Sequence, residues 1–353
     1  MTLVARELSP GYGARRIVDN LSQRCPMTDR KRRALALAFP ASLAAMLAWP
    51  VRAAAQAAPY SVLNDRGVSL RFDAAPRRLA TISYFGADTA LALGVQPVAS
   101  TFLVRGRRPS YLLDRMDRVI DLGQRASPSL ELLASTHADL IIAIRRYTEA
   151  NAARLQQIAP YLALDLEIRE DSDRSVALVG AALDRAEAAA ALNRRFAGVC
   201  AAFRARIGSR RAHRYLFVWG AGSAPWAFYD ENMTCSLLNA LGGVNVAGRN
   251  PLPSRRDNTA FQMSLETLLI AEPDTIFVYD DGGPRGFETN PVWRHLISVR
   301  RVRIVRVGDH WIESFGPIAR HAVLAEAAAH LHPDLFAPPD LREIASSYLG
   351  RAG

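Results

Sequence analysis

The sequence predicts an α/β protein of two lobes, and three observations lead to that prediction. The segment SLELL at residues 129–133 recurs as SLETL at residues 264–268. Each copy is followed by a turn and then by a continuous apolar run, Leu140–Ile144 or Thr275–Tyr279, of the kind that forms a strand buried on both faces of a parallel sheet. An alanine-rich segment with helical periodicity separates the two copies. Strand and helix units that occur twice favour two α/β lobes.

The elements around each copy follow the same order along the chain. A predicted helix ends at Gly94 ahead of the first copy and at Gly242 ahead of the second, because glycine after leucine is a usual helix C-cap. Each copy then reads as a short helix, a turn at Asp139 or Asp274, and the buried strand. We therefore assign residues 58–171 to an N-terminal lobe and residues 193–353 to a C-terminal lobe.

The segment between the lobes is predicted to be helical over residues 172–192. Ser172 or Asp173 can cap its N-terminus, and apolar residues continue beyond it at helical spacing. Gly180 lowers its helix propensity by about 1 kcal/mol, which does not outweigh the many alanines. A single rod would connect the lobes stiffly, but the sequence is equally compatible with two helices that break near Ala186.

Composition restricts the class of partner. Half of the 353 residues are apolar, which is enough for two domains with cores of their own. The formal charge of +10 is concentrated at the N-terminus, since residues 1–57 hold nine basic and three acidic residues and the rest hold 35 basic and 31 acidic. No nucleic-acid recognition motif accompanies the charge, so we exclude a nucleic-acid partner.

The N-terminal region has the pattern of an export signal. Residues 27–57 begin with a basic cluster, continue with an apolar stretch and end in alanine pairs that suit a signal peptidase, which predicts a cleaved signal peptide and a periplasmic product. Arg32 and Arg33 leave the twin-arginine route open beside the general one. Residues 1–26 precede a complete signal and are interpreted as a misassigned or non-native extension. In the secreted product Cys200 and Cys235 either pair or, more commonly for such residues, remain buried free thiols.

Six segments in order then identify a family resemblance: RRLATISYFGADTALALGVQPVAS, VIDLGQRASPSLELLASTHADLIIA, LQQIAPYLALD, NALGGVNVAG, MSLETLLIAEPDTIFVY and NPVWRHLISVRRVRIVRV. Together they resemble the binding proteins of ABC importers for ferric siderophores, haem and cobalamin, over about residues 76–345. The pattern is most similar to that of the ferric hydroxamate (ferrichrome) type.

The resemblance implies two Rossmann-like lobes joined by one long helix, with the ligand in a shallow cleft between them. It implies a monomeric, non-enzymatic binding protein that needs no cofactor and delivers an iron(III)–siderophore to an inner-membrane permease dimer with its ATPase. Haem or cobalamin binding on the same fold remains an alternative. An enzyme on a Rossmann-like scaffold is a remote alternative, because the sequence lacks the common catalytic motifs.

The resemblance also indicates site residues. A hydroxamate siderophore already surrounds its iron with hard oxygens, so the protein supplies hydrogen-bond donors and aromatic walls rather than metal ligands. Arg125 matches the family arginine that donates to the hydroxamate oxygens, a task suited to its planar fork. Tyr147 matches a tyrosine donor, and it follows a predicted parallel strand at the end where such sheets bind ligands. Trp311 and Phe315 match aromatic wall positions of the second lobe.

Further positions complete these expectations. Tyr84, Tyr111, Trp219 and Trp226 are weaker cleft candidates, and Asn258 lies where the ferrichrome type has a tryptophan, which puts the identity of the siderophore in doubt. Glu131 and Glu266 occupy equivalent positions of the repeat. In the family, one glutamate on each lobe docks to arginines of the permease dimer, although glutamate is also favoured in the first turn of any helix.

Overall fold

The computed structural model describes residues 58–210, 212–255 and 258–349. The predicted extension at 1–26 and the predicted signal peptide at 27–57 lie outside the described residues. In the part of the chain that is described, no helix is long and apolar enough to cross a bilayer.

The first half of the described chain forms a parallel sheet with helices around it. Its strands are β1 (Tyr60–Leu63), β2 (Ser69–Phe72), β3 (Leu79–Ile82), β4 (Pro97–Ser100), β5 (Ile120–Asp121), β6 (Gly123–Gln124), β7 (Ser127–Pro128), β8 (Leu140–Ile144) and β9 (Tyr161–Leu164). Its helices are α1 (Tyr84–Ala92), α2 (Leu130–Ser135), α3 (Arg145–Thr148) and α4 (Ala152–Ile158), with 3-10 helices at Ser110–Met116 and Glu149–Asn151. The main sheet has the order β5-β4-β3-β8-β9 and all its neighbours are parallel.

The second half repeats this plan with a mixed sheet. Its helices are α5 (Arg169–Ala182), α6 (Ala186–Ile207), α7 (Met233–Ala240), α8 (Leu265–Ala271), α9 (Pro291–Ser298), α10 (Pro317–Leu331) and α11 (Leu341–Leu349), with 3-10 helices at Gly286–Thr289 and Asp309–Trp311. Its strands are β10 (His213–Trp219), β11 (Trp226–Phe228), β12 (Gly243–Asn245), β13 (Ala260–Gln262), β14 (Thr275–Tyr279) and β15 (Arg303–Val307). The sheet order is β13-β11-β10-β14-β15, with β12 also paired to β10, and β11 and β13 run antiparallel to their neighbours. The predicted α/β class is confirmed.

The two copies of the sequence repeat have the same local structure. The strands predicted at Leu140–Ile144 and Thr275–Tyr279 are confirmed, and every residue of both is buried. Ser129 and Ser264 each cap the helix that precedes the strand. Their hydroxyl oxygens accept from the backbone N–H three residues later, at 3.3 and 3.1 Å. These shared caps set the same helix–turn–strand path in both halves.

The predicted interlobe helix over 172–192 has different bounds in the structure. The alternative of a break near Ala186 is the one observed, since α5 ends at Ala182 and α6, the long helix of 22 residues, begins at Ala186. A side chain at Gly180 would come within 2.3 Å of the Ala189 Cβ, so this glycine allows the two helices to pack closely. Gly180 therefore serves packing rather than weakening a single rod.

The chain also returns to the first half after completing the second sheet. Ala345 and Tyr348 of α11 pack in one cluster with Tyr111, Leu112 and Met116 of the first half. The predicted C-terminal lobe of 193–353 therefore needs correction at its end, because the apolar face of α11 is buried against the first half. Cys200 and Cys235 are both buried free thiols.

Two buried carboxyl side chains join the halves, and each caps the N-terminus of a helix in the other half. Asp88 of α1 accepts hydrogen bonds from the backbone N–H groups of Ile318 and Ala319 at the start of α10, at 2.9 and 2.8 Å. Glu313, just ahead of α10, accepts from the backbone N–H groups of Tyr84 and Phe85 at the start of α1, at 2.7 and 3.3 Å. The backbone N–H groups at each helix N-terminus are thus bonded to a carboxyl side chain of the other half, which favours one fixed arrangement of the two.

We expect the ionisation of Asp88 to lower the free energy of unfolding as the pH rises from about 4 to about 7, opposite to the contribution of His321, whose pKa burial lowers to about 4. Burial raises the pKa of the Asp88 carboxyl from 3.8 to about 7, against the lowering effect of the two backbone N–H donors and Arg320. Between these values the folded state holds a proton that the unfolded chain has lost, so ionisation favours unfolding until the pH passes the folded pKa. The neighbouring Tyr111 hydroxyl is buried, which raises its pKa further, so it does not ionise in this range.

Urea unfolding at a series of pH values measures this dependence. Asp88→Asn cannot ionise, so the stability of the unmodified protein relative to this variant is expected to fall between these two pH values, even if the variant is less stable at every pH. A stability difference that does not change with pH would assign the dependence to another group.

Candidate functional site

A cavity of about 150 Å³ lies between the residues that follow β8 and β9 of the first sheet and strands β10, β11 and β13 of the second sheet. The polar side chains that line it are Arg125, Arg146, Tyr147, Glu167, Asn232 and Thr259. The apolar lining consists of Leu166, Trp219, Trp226, Phe228, Ala260, Ile312 and Phe315. The segments that follow β8 and β9 therefore face β10, β11 and β13 across the cavity, which is where α/β sheets bind ligands. We call this cavity the pocket.

Arg125 reaches the pocket from the turn between β6 and β7. Its guanidinium forms an ion pair with Glu313 and lies 3.9 Å from the centre of the Tyr147 ring. Burial acts to lower the pKa of Arg125, but the charge and hydrogen bond of Glu313 together with Tyr147 and Tyr279 more than offset this, so the pKa is raised and the guanidinium stays charged. Arg125 thus presents N–H donors to the pocket, and its buried counter-ion Glu313 holds them in place.

Tyr147 stands at the end of β8 on the short helix α3. Its hydroxyl oxygen accepts a hydrogen bond from Arg146 Nη2 at 2.5 Å, and the Arg146 guanidinium lies 4.6 Å from the centre of its ring. Arg146 also forms an ion pair with Glu167, which follows β9. Two arginines therefore contact one tyrosine ring, and both cation–π contacts hold the ring at the pocket wall.

The opposite wall is aromatic. Trp219 of β10 and Trp226 of β11 are directly paired across the antiparallel strands. They keep 41 % and 45 % of their surface exposed, unusual values for side chains of this size. Phe228 stacks on Phe217 at 4.8 Å between ring centres, and Phe315 completes the wall. Exposed aromatic surface beside directed donors is typical of a site for an organic ligand.

The structure brings together five of the side chains named as cleft candidates. Arg125, Tyr147 and Phe315 line the pocket, as do the weaker candidates Trp219 and Trp226. Arg125 and Tyr147 are in contact although they are 22 positions apart in the chain, which places the turn between β6 and β7 beside the residues that follow β8. The contact of these residues with a ligand stays a prediction.

Trp311 does not line the pocket, and its proposal as a wall residue is wrong. It is fully buried, stacked on Phe277 at 4.9 Å between ring centres, and its indole N–H donates to Glu326 at 2.7 Å. Its 3-10 turn lies over the aromatic side chains of β10 and β14, which bury the indole in the core of the second half. A core that offers both an aromatic stack and a carboxylate partner satisfies tryptophan better than an open wall.

Three weaker candidates are also placed elsewhere. Tyr84 is buried and its hydroxyl oxygen accepts from the Leu103 backbone N–H at 3.1 Å, so it packs in the core. Tyr111 is buried with its ring 5.6 Å from that of His310. Asn258 donates to Asn250 Oδ1 at 2.8 Å and stabilises its own loop, while its neighbour Thr259 lines the pocket. The proposals for Tyr84 and Tyr111 are corrected accordingly, and ligand contact by Asn258 stays a prediction.

Two carboxylates that pair with the pocket arginines were not predicted from the sequence. Glu167 follows a buried parallel strand as Tyr147 does, and that position alone is a signal for a site residue. Glu313 lies in the segment that was assigned to aromatic walls, but its partner Arg125 is 188 residues away. No local pattern reveals an ion pair of that separation.

The two glutamates predicted to dock a permease occupy matching places. Glu131 lies in the first turn of α2 and Glu266 in the first turn of α8, and both side chains are exposed. Glu131 also borders an open groove of about 620 Å³. Their docking role stays a prediction. Within the described ranges, no group of three or more His, Cys, Asp or Glu side chains is arranged to hold a metal ion.

Comparisons with known proteins agree with this architecture. Residues 79–310 match the family model described as periplasmic binding protein. The chain is 25 % identical over 247 residues to the putative ABC transporter substrate-binding lipoprotein YhfQ of Bacillus subtilis, a match that covers 66 % of this chain and 76 % of that one. It is 23 % identical over 286 residues to the Fe(3+) dicitrate-binding periplasmic protein FecB of Escherichia coli, covering 77 % and 90 %. The structure of Staphylococcus aureus SirA complexed with staphyloferrin B superposes with a TM-score of 0.60 at 21 % identity, covering 75 % and 96 %.

Proposed function

Because the chain belongs to the periplasmic binding protein family and is therefore a binding protein rather than an enzyme, we propose that it is the substrate-binding component of an ABC importer for a ferric siderophore. We propose a hydroxamate siderophore as the ligand, captured in the periplasm and delivered to the permease. The observation that carries the proposal is a pocket with Arg125 and Tyr147 on one side and exposed tryptophans on the other.

The chemistry of the pocket supports this choice of ligand. In a ferric hydroxamate the iron is fully bound by hard oxygens, and those oxygens retain partial negative charge on the outer surface of the complex. The Arg125 guanidinium and the Tyr147 hydroxyl are positioned to donate to such oxygens. The organic scaffold between the hydroxamates is apolar enough to pack on Trp219, Trp226 and Phe315. No protein atom needs to bond the iron.

The relatives support an iron chelate as the cargo. By their names, FecB binds ferric dicitrate and SirA was crystallised with staphyloferrin B. Haem is less well supported. A histidine could bind its iron, but His310 is buried and hydrogen-bonded to Glu326 at 2.5 Å rather than directed into the pocket. A new Soret band on mixing with haem would favour the haem alternative over ours.

Titration with ferrichrome, followed by tryptophan fluorescence, tests the proposal. Trp219 and Trp226 line the pocket, whereas Trp293 and Trp311 are buried away from it. Quenching is expected to be saturable and to fall largely on the two pocket tryptophans, with a dissociation constant of about micromolar or tighter. In Trp219→Phe/Trp226→Phe the remaining tryptophans are expected to respond little, while calorimetry still detects binding. Undiminished quenching in that variant would place the ligand elsewhere.

A further inference from the structure

We propose that Glu167 and Glu313 make the pocket selective for ferric chelates without net negative charge. The inference rests on the proposed function, since it concerns which ferric chelates the same pocket accepts. It is carried by the pairing of each pocket arginine with a carboxylate that is more buried than the arginine itself.

The exposed fractions of the side chains show this arrangement. The Arg125 side chain is 19 % exposed and that of Glu313 is 3 % exposed. For the second pair, the Arg146 side chain is 32 % exposed and that of Glu167 is 9 % exposed. In both pairs the arginine is the more exposed partner, so each cationic donor carries its own counter-charge.

Glu313 cannot easily leave its arginine. Its other carboxylate oxygen accepts from the backbone N–H groups of Tyr84 and Phe85. These contacts hold the carboxylate at the N-terminus of α1 whatever the ligand does. The negative charge beside Arg125 is therefore a permanent feature of the pocket wall.

Positive and negative side chains are also paired in the concavity beside the pocket. An adjoining open concavity is lined by Arg145, Arg146 and Arg255 together with Glu149, Asp165 and Glu167. Arg145 forms an ion pair with Asp165 at 2.7 Å. Among the described residues, this concavity therefore has three positive and three negative side chains and no excess of positive charge to attract an anion.

This balance discriminates between classes of ferric chelate. Three hydroxamates neutralise one ferric ion, so the complex is uncharged and needs donors but no counter-charge. Ferric dicitrate is anionic and has free carboxylates. A citrate carboxylate that approaches Arg125 or Arg146 also approaches Glu313 or Glu167, and the repulsion between the two negative charges offsets the attraction of the arginine. The pocket therefore excludes ferric dicitrate, the chelate that the relative FecB binds according to its name.

Glu167→Gln tests the inference, because it removes one counter-charge and leaves a side chain of the same shape. We expect its affinity for ferric dicitrate to rise about tenfold or more, since one repulsive charge within a few ångströms of the ligand is removed. The readout is the ratio of the affinity for ferric dicitrate to that for ferrichrome, which is expected to rise because the removed charge repels only the anionic chelate. Glu313→Gln is expected to act in the same direction, but Glu313 also caps α1, so Glu167→Gln is the deciding variant.

Glu288→Gln is the matched control, because Glu288 forms a partly exposed ion pair with Arg306 outside the pocket. It is expected to change neither affinity. Equal affinities of the unmodified protein for ferrichrome and ferric dicitrate would overturn the inference, as would a Glu167→Gln variant whose affinity for ferric dicitrate is unchanged. Failure of the unmodified protein to bind either chelate would instead overturn the proposed function, and with it this inference.

Discussion

Arg125→Ala is expected to lower the affinity for a ferric hydroxamate by roughly 10- to 100-fold, the value of a charge-assisted hydrogen bond that is lost from a partly buried site. The substitution also removes the ring contact that positions Tyr147. It leaves Glu313 buried without its cation, so the free energy of unfolding is expected to fall by about 3 kcal/mol. Calorimetric titration and urea unfolding measure the two effects separately.

The double variant Arg125→Ala/Glu313→Gln separates binding from stability. Removing the stranded charge is expected to restore a large part of the lost stability, because the remaining amide oxygen can still accept from the start of α1. The affinity is expected to stay low, since the donor to the ligand is still missing. Recovery of affinity together with stability would mean that Arg125 acts on the fold and not on the ligand.

Charge reversal at both Glu131 and Glu266 is expected to reduce siderophore-dependent uptake to the level of cells that lack the gene. The two glutamates lie in the first turns of α2 and α8, after the equivalent caps Ser129 and Ser264. Two identical acidic contacts suit a permease dimer, in which each half presents the same basic surface. Glu131→Arg/Glu266→Arg should leave the affinity for ferrichrome unchanged, because neither residue lines the pocket.

The matched control for this prediction reverses two other exposed glutamates in first helical turns. Glu187 of α6 and Glu343 of α11 meet that description. Glu187→Arg/Glu343→Arg loses the same favourable interaction with the helix dipole and is expected to transport normally. Uptake lost equally in both double variants would attribute the effect to charge in general and contradict a docking role for Glu131 and Glu266.

Local patterns predicted a large part of the fold. The strands Leu140–Ile144 and Thr275–Tyr279 were recognisable because strands buried on both faces of a parallel sheet are continuously apolar. The short helices before them were predicted from the repeat itself. The break between α5 and α6 was not decidable, because it depends on the contact between Gly180 and Ala189, which only the folded arrangement creates.

Position along the chain alone indicated site residues only where they follow buried strands. Tyr147 and Glu167 occupy such positions, and Arg125 was identified through the family resemblance. Trp311 was misplaced because the same sequence segment can direct an indole toward a cleft or toward the core. The aromatic residues Phe217 and Phe277 decide that direction from distant strands. The interlobe ion pair of Arg125 with Glu313 likewise depends on tertiary packing.

The central claim is that the pocket holds a ferric siderophore by its outer surface without bonding the iron. Titrating the protein with ferrichrome while recording both tryptophan fluorescence and the iron charge-transfer absorption tests it most directly. We predict saturable quenching at one ligand per protein with the absorption band unmoved, because the hydroxamate oxygens remain the only iron ligands. A band that shifts in step with the quenching would mean that a protein atom enters the coordination sphere of the iron, which would contradict the claim.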